Sequence, residues 1–345
     1  SKTSPRYPAA RYHLGVLLVG RKQARTGVRR FREALAAATT ANNQSVAQLA
    51  RLALARLAFE VGSYRAAAHF YRSVPRRSRH FVQAQYELAW TQVMSERYRA
   101  ALGTLHGLHA PFYRHRLLRD ALVLEAATYL NLCRYKAARR ALKRFDRRTS
   151  PAVARIRRVL DRKPTPAQLS AALLRLAARQ PSPLPRLALR ALVADVGVYR
   201  SHRTLRQLQS ERRRGMAKLT GAVRKAVLGE LGRREQAFRQ RFGLEIRRRL
   251  RDLLVQLDTV KVKADEIGLE VELAEKGQLE ARRRALAAGR RLKRRARGRL
   301  VRLRIRPGQQ AWPFEGEYWL DEIGAYRSRL RNACPKRPSK GATRR

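Results

Sequence analysis

Three small sets of side chains have the types and spacing to do chemistry. His106 and His109, in "LHGLHAP", can share one face of a helix end, with His115 nearby. Imidazoles so placed can hold a transition metal weakly. Two surface histidines at a helix C-terminus are the plainer reading, and no metal site or cofactor is assigned. Glu315 and Glu317 have the chemistry of a carboxylate pair, but in so basic a chain they read as ion-paired. Cys133 and Cys334 are the two cysteines. They lie too far apart for zinc-type spacing. A disulfide forms if the chain end folds back; two free thiols are the alternative, and sequence does not fix their separation. There is no G-x-x-x-x-G-K-[ST], no G-x-G-x-x-G after a strand and no H-E-x-x-H. The sequence reads as that of a non-enzymatic protein.

Charge is the outlying property. Lys plus Arg number 79 against 25 Asp plus Glu, a net charge of +54 and a pI near 11.8. Such a surface attracts any polyanion, whether nucleic acid, anionic lipid head groups or acidic polymer, and net charge singles out none of them. Residues 281–306, "ARRRALAAGRRLKRRARGRLVRLRIR", contain 13 basic residues and no acid. Arg290, Arg291, Lys293, Arg294, Arg295 and Arg297 are the candidates for polyanion contact. No zinc finger, RNP motif or helix-turn-helix signature accompanies them, so contacts would go to phosphates and be steeply salt-dependent. At 44% apolar, the chain can bury a real core of two or three domains. No apolar run approaches the ~20 residues of a membrane span. The chain starts at Ser1 without Met, so it reads as processed or truncated, which leaves export open.

The elements that position these residues follow from a recurring beat. Tyr64, Ala67 and Tyr71 recur as Tyr98, Ala101 and Leu105, then as Tyr135, Ala138 and Leu142, with the tyrosines 34 and 37 residues apart. Gly15, Gly27, Phe31 and Ala34 fit a diverged first copy. Apolar residues fall three or four apart, so each copy reads as two amphipathic helices. Small residues stand where helices cross (Gly15, Ala55, Ala89, Ala126, then Gly27, Ala67, Ala101, Ala138). Large ones wedge between copies (Leu14, Leu54, Leu88, Tyr64, Tyr98, Tyr135, Phe31, Tyr71). One helix pair cannot bury its apolar face alone, so the copies must stack.

On these residues, 8–146 resembles the tetratricopeptide repeat (TPR) family. The consensus Trp and closing Pro are mostly missing. The resemblance implies an α-solenoid whose first helices line a concave groove for a partner's peptide or helix. Carried over, the groove positions are Tyr12, Val16, Arg56, Phe59, Gln83, Tyr86, Trp90, Val93 and Val123. Such a groove is aromatic with cationic edges and suits a segment with acidic and apolar residues. Packing between neighbouring helices is the competing role for Phe59, Tyr86 and Trp90.

Residues 147–202 read as a Pro-interrupted helical linker with a short helix over 167–179 and a worn repeat around Gly197 and Tyr199. Residues 203–298 lack proline. Their apolar stripe Ile246, Leu250, Leu253, Leu257, Val260, Ala264, Ile267, Val271, Ala274 alternates steps of four and three, as in a coiled coil. A hairpin is expected, turning near Gly215–Gly221 or Gly229–Gly232. The stripe packs on an earlier helix or on another copy, which would make a homo-oligomer.

Residues 299–334 read as an aromatic, acidic tail docking back on the body. Val301, Leu303 and Ile305 alternate as in a short strand, and Asp321 or a neighbour starts a short helix. Trp312, Phe314, Tyr318, Trp319 and Tyr326 are expected to pack, with Glu315, Glu317, Asp321 and Glu322 meeting guanidinium groups. Residues 335–345 read as a basic disordered end. The motif "WPFEGEYWLDEIGAY" near a Cys resembles the tail of TPR-plus-coiled-coil proteins of gliding and predatory bacteria. That resemblance implies an envelope setting, favoured over the cytoplasm. The expected fold is all-α: a TPR-like solenoid, a long helical hairpin and an extended tail. The expected function is a scaffold for a protein partner, with polyanion binding as the rival.

Overall fold

The computed structural model describes residues 4–113, 120–177, 181–218, 220–289, 300–301, 305, 307–308 and 310–334; the side chains of 176–177 and 215–218 lie outside that description. Among the described residues the fold is all-helical, with twelve α-helices, one 3-10 turn and no strand. Contacts divide the chain into two compact units, Ser1–Leu142 with Glu266–Arg345, and Lys143–Asp265.

The first unit opens with α1 (Tyr7–Gly20), α2 (Ala24–Thr40), α3 (Gln44–Glu60), α4 (Tyr64–Arg72), α5 (Phe81–Met94), α6 (Tyr98–Leu108) and α7 (Asp120–Asn131); α8 (Tyr135–Asp161) begins in it. From α1 to α7 each helix packs on the next. The turns explain the sequence beat. Lys22, Asn42, Gly62, Glu96 and Cys133 all have φ between 50° and 73°. One residue later, the backbone N–H bonds a carbonyl five positions back: Gln23 to Leu18, Asn43 to Ala38, Ser63 to Ala58, Arg97 to Gln92 and Arg134 to Tyr129, at 2.7–2.9 Å. This is the six-to-one closure that ends a helix through a left-handed residue. Tyr64, Tyr98 and Tyr135 each open the next helix two residues after that residue. Only Gly62 adopts the conformation without a Cβ penalty.

Ala55, Ala67, Ala89, Ala101, Ala126 and Ala138 are all fully buried, and Leu54, Leu88, Phe31 and Tyr71 are at most 3% exposed. Leu14 departs from its expected wedge role. It stays 37% exposed because α1 packs on α2 and α3 and turns its other side to solvent.

The second unit holds the rest of α8, then α9 (Pro166–Ala177), α10 (Arg186–Ala194), α11 (Val196–Lys218) and the start of α12 (Gly221–Ala287). The proline-rich stretches do break helices, but α8 runs through residue 146 and past Pro151 without interruption. Of the two expected turns, the first matches the helix ends, since α11 ends at Lys218 and α12 starts at Gly221; Gly229 and Gly232 lie inside α12. Ser201 donates to Glu245 and Gln209 to Glu235, so α11 and α12 run antiparallel. Ile246, Leu250, Leu253 and Leu257 are buried with Ile156, Leu169, Leu192 and Leu205. In the first unit, Ile267, Val271 and Ala274 pack against Tyr135 and Ala138, and Arg139 is ion-paired with Glu275. The apolar stripe of α12 is therefore covered by earlier helices of the same chain.

The described residues of the tail lie on the helices of the first unit without regular structure. Ile323 is 1% exposed in the cluster of Phe81, Leu105, Leu108 and Leu124. Arg76 Nε–H donates to the Ile323 carbonyl at 2.9 Å, and Arg134 donates to that of Arg331. Cys133 and Cys334 are joined in a disulfide, with Cα atoms 4.9 Å apart. Several expectations are corrected here. No helix starts at Asp321, since residues 320–325 are turns. Val301 N–H does bond the Arg329 carbonyl, but residues 302–304 lie outside the described set. Trp312 and Trp319 are 75% and 59% exposed, because the docked side is filled by Phe314, Tyr318, Ile323 and Tyr326. Glu315, Glu317, Asp321 and Glu322 make no ion pair among the described residues, where the tail is held through its carbonyls and apolar side chains.

Candidate functional site

Helical spacing brings two short rows of side chains face to face. On α3, Phe59 and Glu60 follow Arg56 by three and four positions; on α5, Trp90 follows Glu87 by three and Met94 follows Trp90 by four. Residues at this spacing share one helix face. Tyr71, from the last turn of α4, joins them. Together these seven line an open pocket of about 500 Å³.

The polar groups of the pocket are largely engaged with one another. Arg56 grips the Glu87 carboxylate with two bonds, Nη2–H to Oε1 at 2.7 Å and Nε–H to Oε2 at 2.9 Å. Gln83 Nε2–H donates to the same carboxylate at 2.6 Å. The Glu87 bond holds the guanidinium charged more firmly than usual. The Tyr71 hydroxyl is pushed far up, first by burial and then by Glu87. Trp90 Nε1–H donates to Tyr86 Oη at 2.9 Å, which fixes the indole plane. Burial pushes the Tyr86 hydroxyl up to about 12, against the opposing effect of that bond. What remains open to solvent is the ring face of Trp90, 39% exposed, the thioether of Met94, 48% exposed, and the exposed Glu60.

Of the sequence-derived groove residues, the pocket unites Arg56, Phe59 and Trp90. Gln83 and Tyr86 stand behind it, holding Glu87 and Trp90. Tyr12 packs on Phe31, ring centroids 5.5 Å apart, and Val16 is 47% exposed on α1, away from the pocket lining. Val93 is half-buried against the α5–α7 cluster, and Val123 is 5% exposed and offers no surface. Glu60, Tyr71, Glu87 and Met94 were not singled out for this role from sequence. The available signal was an acid four residues after Gln83 and another beside Phe59, in a chain with few acids. Arg290, Arg291, Lys293, Arg294, Arg295 and Arg297 lie outside the described residues.

The histidines separate. His106 sits in an aromatic box with centroids 4.4 Å from Phe314, 5.2 Å from Tyr318 and 5.1 Å from Tyr326. His109 instead pairs with Glu125, Nε2 to Oε2 at 2.8 Å. His115 lies outside the described residues, among which no group of three ligands could hold a metal. No helix there is long and apolar enough to cross a membrane.

The chain matches no protein-family model, no curated protein and no solved structure. The pocket's own chemistry is therefore what bears on function. Aromatic faces, a thioether and carboxylates are groups that hold a side chain in place.

Proposed function

We propose that this protein is a non-enzymatic scaffold: a TPR-like α-solenoid over residues 8–146 that docks a protein segment on its first helices. The pocket between α3 and α5 carries this reading. The tyrosine beat, the repeated left-handed turns and the alanines at the crossings support stacked helix pairs. In such an array α3 and α5 are consecutive first helices. Their exposed Trp90 and Met94 are large apolar groups left uncovered beside a packed core, the kind of anchor point where binding energy concentrates. The disulfide favours an oxidising setting, in keeping with a bacterial envelope assembly.

The test is partner capture by the full chain at low salt and at about 0.5 M NaCl, with and without nuclease, comparing wild type with Trp90→Ala. Retention of a partner at high salt, and its loss with Trp90→Ala, supports docking. Capture that Trp90→Ala leaves unchanged refutes it.

The net charge of +54 favours a second reading, binding to nucleic acid or an anionic membrane surface. Arg282, Arg283 and Arg284 are exposed at the end of α12. In that case high salt lowers affinity by orders of magnitude, and nuclease or removal of anionic lipid removes every partner.

A further inference from the structure

The charge inside the α3–α5 pocket is opposite to that of the chain around it. Its lining has one cation, Arg56, and two anions, Glu60 and Glu87. Arg56 is held by both oxygens of Glu87, which also accepts from Gln83, so the charges of that pair are largely matched by each other. Glu60 has no Lys or Arg partner among the described residues. It lies beside Phe59 in sequence and acts electrostatically on the Tyr71 hydroxyl, as Glu87 also does. The remaining lining is Phe59, Tyr71, Trp90 and Met94, whose ring faces and sulfur are electron-rich.

We propose that this pocket takes a cationic side chain from the docked partner, with an ammonium or guanidinium group against the rings of Trp90 and Phe59 and Glu60 as its counter-ion. The proposal rests on the docking reading above and narrows the partner's chemistry. Aromatic faces attract a cation through their quadrupole, and partial desolvation strengthens that attraction. An acidic side chain entering the same space meets Glu60 and Glu87 with Arg56 already occupied. The positive field of the whole chain repels cationic ligands at long range, and added salt screens that repulsion. Binding should therefore hold or improve as salt rises, whereas phosphate-directed binding falls.

The experiment uses the full chain carrying Trp312→Phe and Trp319→Phe, two exposed positions, so that Trp90 is the remaining indole reporter. Its emission is followed during titration with choline, with choline's uncharged isostere in which carbon replaces the quaternary nitrogen, with N-acetyl-lysine methylamide and with N-acetyl-aspartate methylamide. The two cations should give saturable shifts, and the isostere should bind about fivefold or more weakly. Glu60→Gln, at an exposed position, should weaken the cations by about the same factor and leave the isostere unchanged. The cation preference is overturned if the isostere or the aspartate compound binds as well as the cations, or if Glu60→Gln has no effect on them. It is equally overturned if no probe shifts Trp90 while Trp90→Ala still abolishes partner capture, a result that leaves docking itself standing. Capture unaffected by Trp90→Ala removes the docking reading instead.

Discussion

Arg56 on α3 and Glu87 on α5 are joined by two hydrogen bonds across the mouth of the pocket, at 2.7 and 2.9 Å. The carboxylate side chain is 16% exposed and the guanidinium 53%. Glu87→Ala strips a paired, largely buried acid and leaves Arg56 half in water, where solvent offsets much of the loss. The expected cost is about 1–2 kcal/mol, read as a lower urea midpoint. The same change leaves the pocket's positive charge unmatched, so the choline-induced shift of Trp90 emission should weaken.

The disulfide closes a loop of 201 residues in sequence separation, from the turn before α8 to the tail. On chain-entropy grounds such a crosslink contributes about 5 kcal/mol relative to an open chain. Cys334→Ser should therefore lower stability and raise hydrogen exchange selectively at Ile323, Arg331 and the backbone around them. Exchange in the tail matching wild type would show that the carbonyl bonds of Arg76 and Arg134, with Ile323, suffice to hold it.

At Gly103 the tail backbone approaches so closely that a Cβ would overlap the Tyr326 carbonyl. In an isolated helix Gly→Ala is favourable by about 1 kcal/mol. Here the overlap should win, at about 1–3 kcal/mol. Gly103→Ala should keep full helicity by far-UV circular dichroism and lose near-UV signal from the tail aromatics.

The box around His106 is sensitive to acid. Burial pushes the imidazole below its ordinary value, the nearby His109 adds to this, and Glu125 opposes it. The ring Nε2 has no hydrogen-bond partner among the described residues. The unfolded chain, with histidine near 6.5, takes up the proton first. The contribution of neutral His106 is thus present in full above about pH 6.5 and is lost as pH falls toward the depressed folded value. Burial lowers His80 and His202 in the same direction, so the readout is a difference. His106→Phe should show a smaller loss of stability from pH 8 to pH 5 than wild type, measured by urea midpoints.

Glu96 holds a left-handed conformation, φ 57°, at the turn where the preceding hairpin has Gly62. Glu96→Gly should raise the thermal midpoint, by about 0.5–1 kcal/mol in stability, because the glycine removes the Cβ penalty there.

The helix pairing of the first unit was legible because its signal is local. A tyrosine two residues past a tight turn, with alanines at helical spacing, determines where helices start and which side is buried. The stripe from Ile246 to Ala274 was legible for the same reason: periodicity specifies a buried face. It does not specify what covers that face, and Tyr135, Ala138 and Leu205 became its neighbours only when distant segments met. The choice of turn among four glycines likewise depended on which register lets Ser201 reach Glu245.

The pocket's composition was half visible. Arg56, Phe59 and Trp90 stand out by type and helix face, but the cationic edge they suggest is reversed by Glu87, 31 residues from Arg56 in sequence. Pairing across that distance is a property of helix packing alone. The tail makes the same point. Its composition said that it would dock; which aromatics are buried, and that Cys334 reaches Cys133, were decided by the shape of the surface it met. Short-range pattern therefore fixed the helices, their buried faces and the excess of positive charge. Tertiary packing decided the charge of the pocket, the pairing of the cysteines and the exposure of Trp312 and Trp319, because each depends on groups brought together from far along the chain.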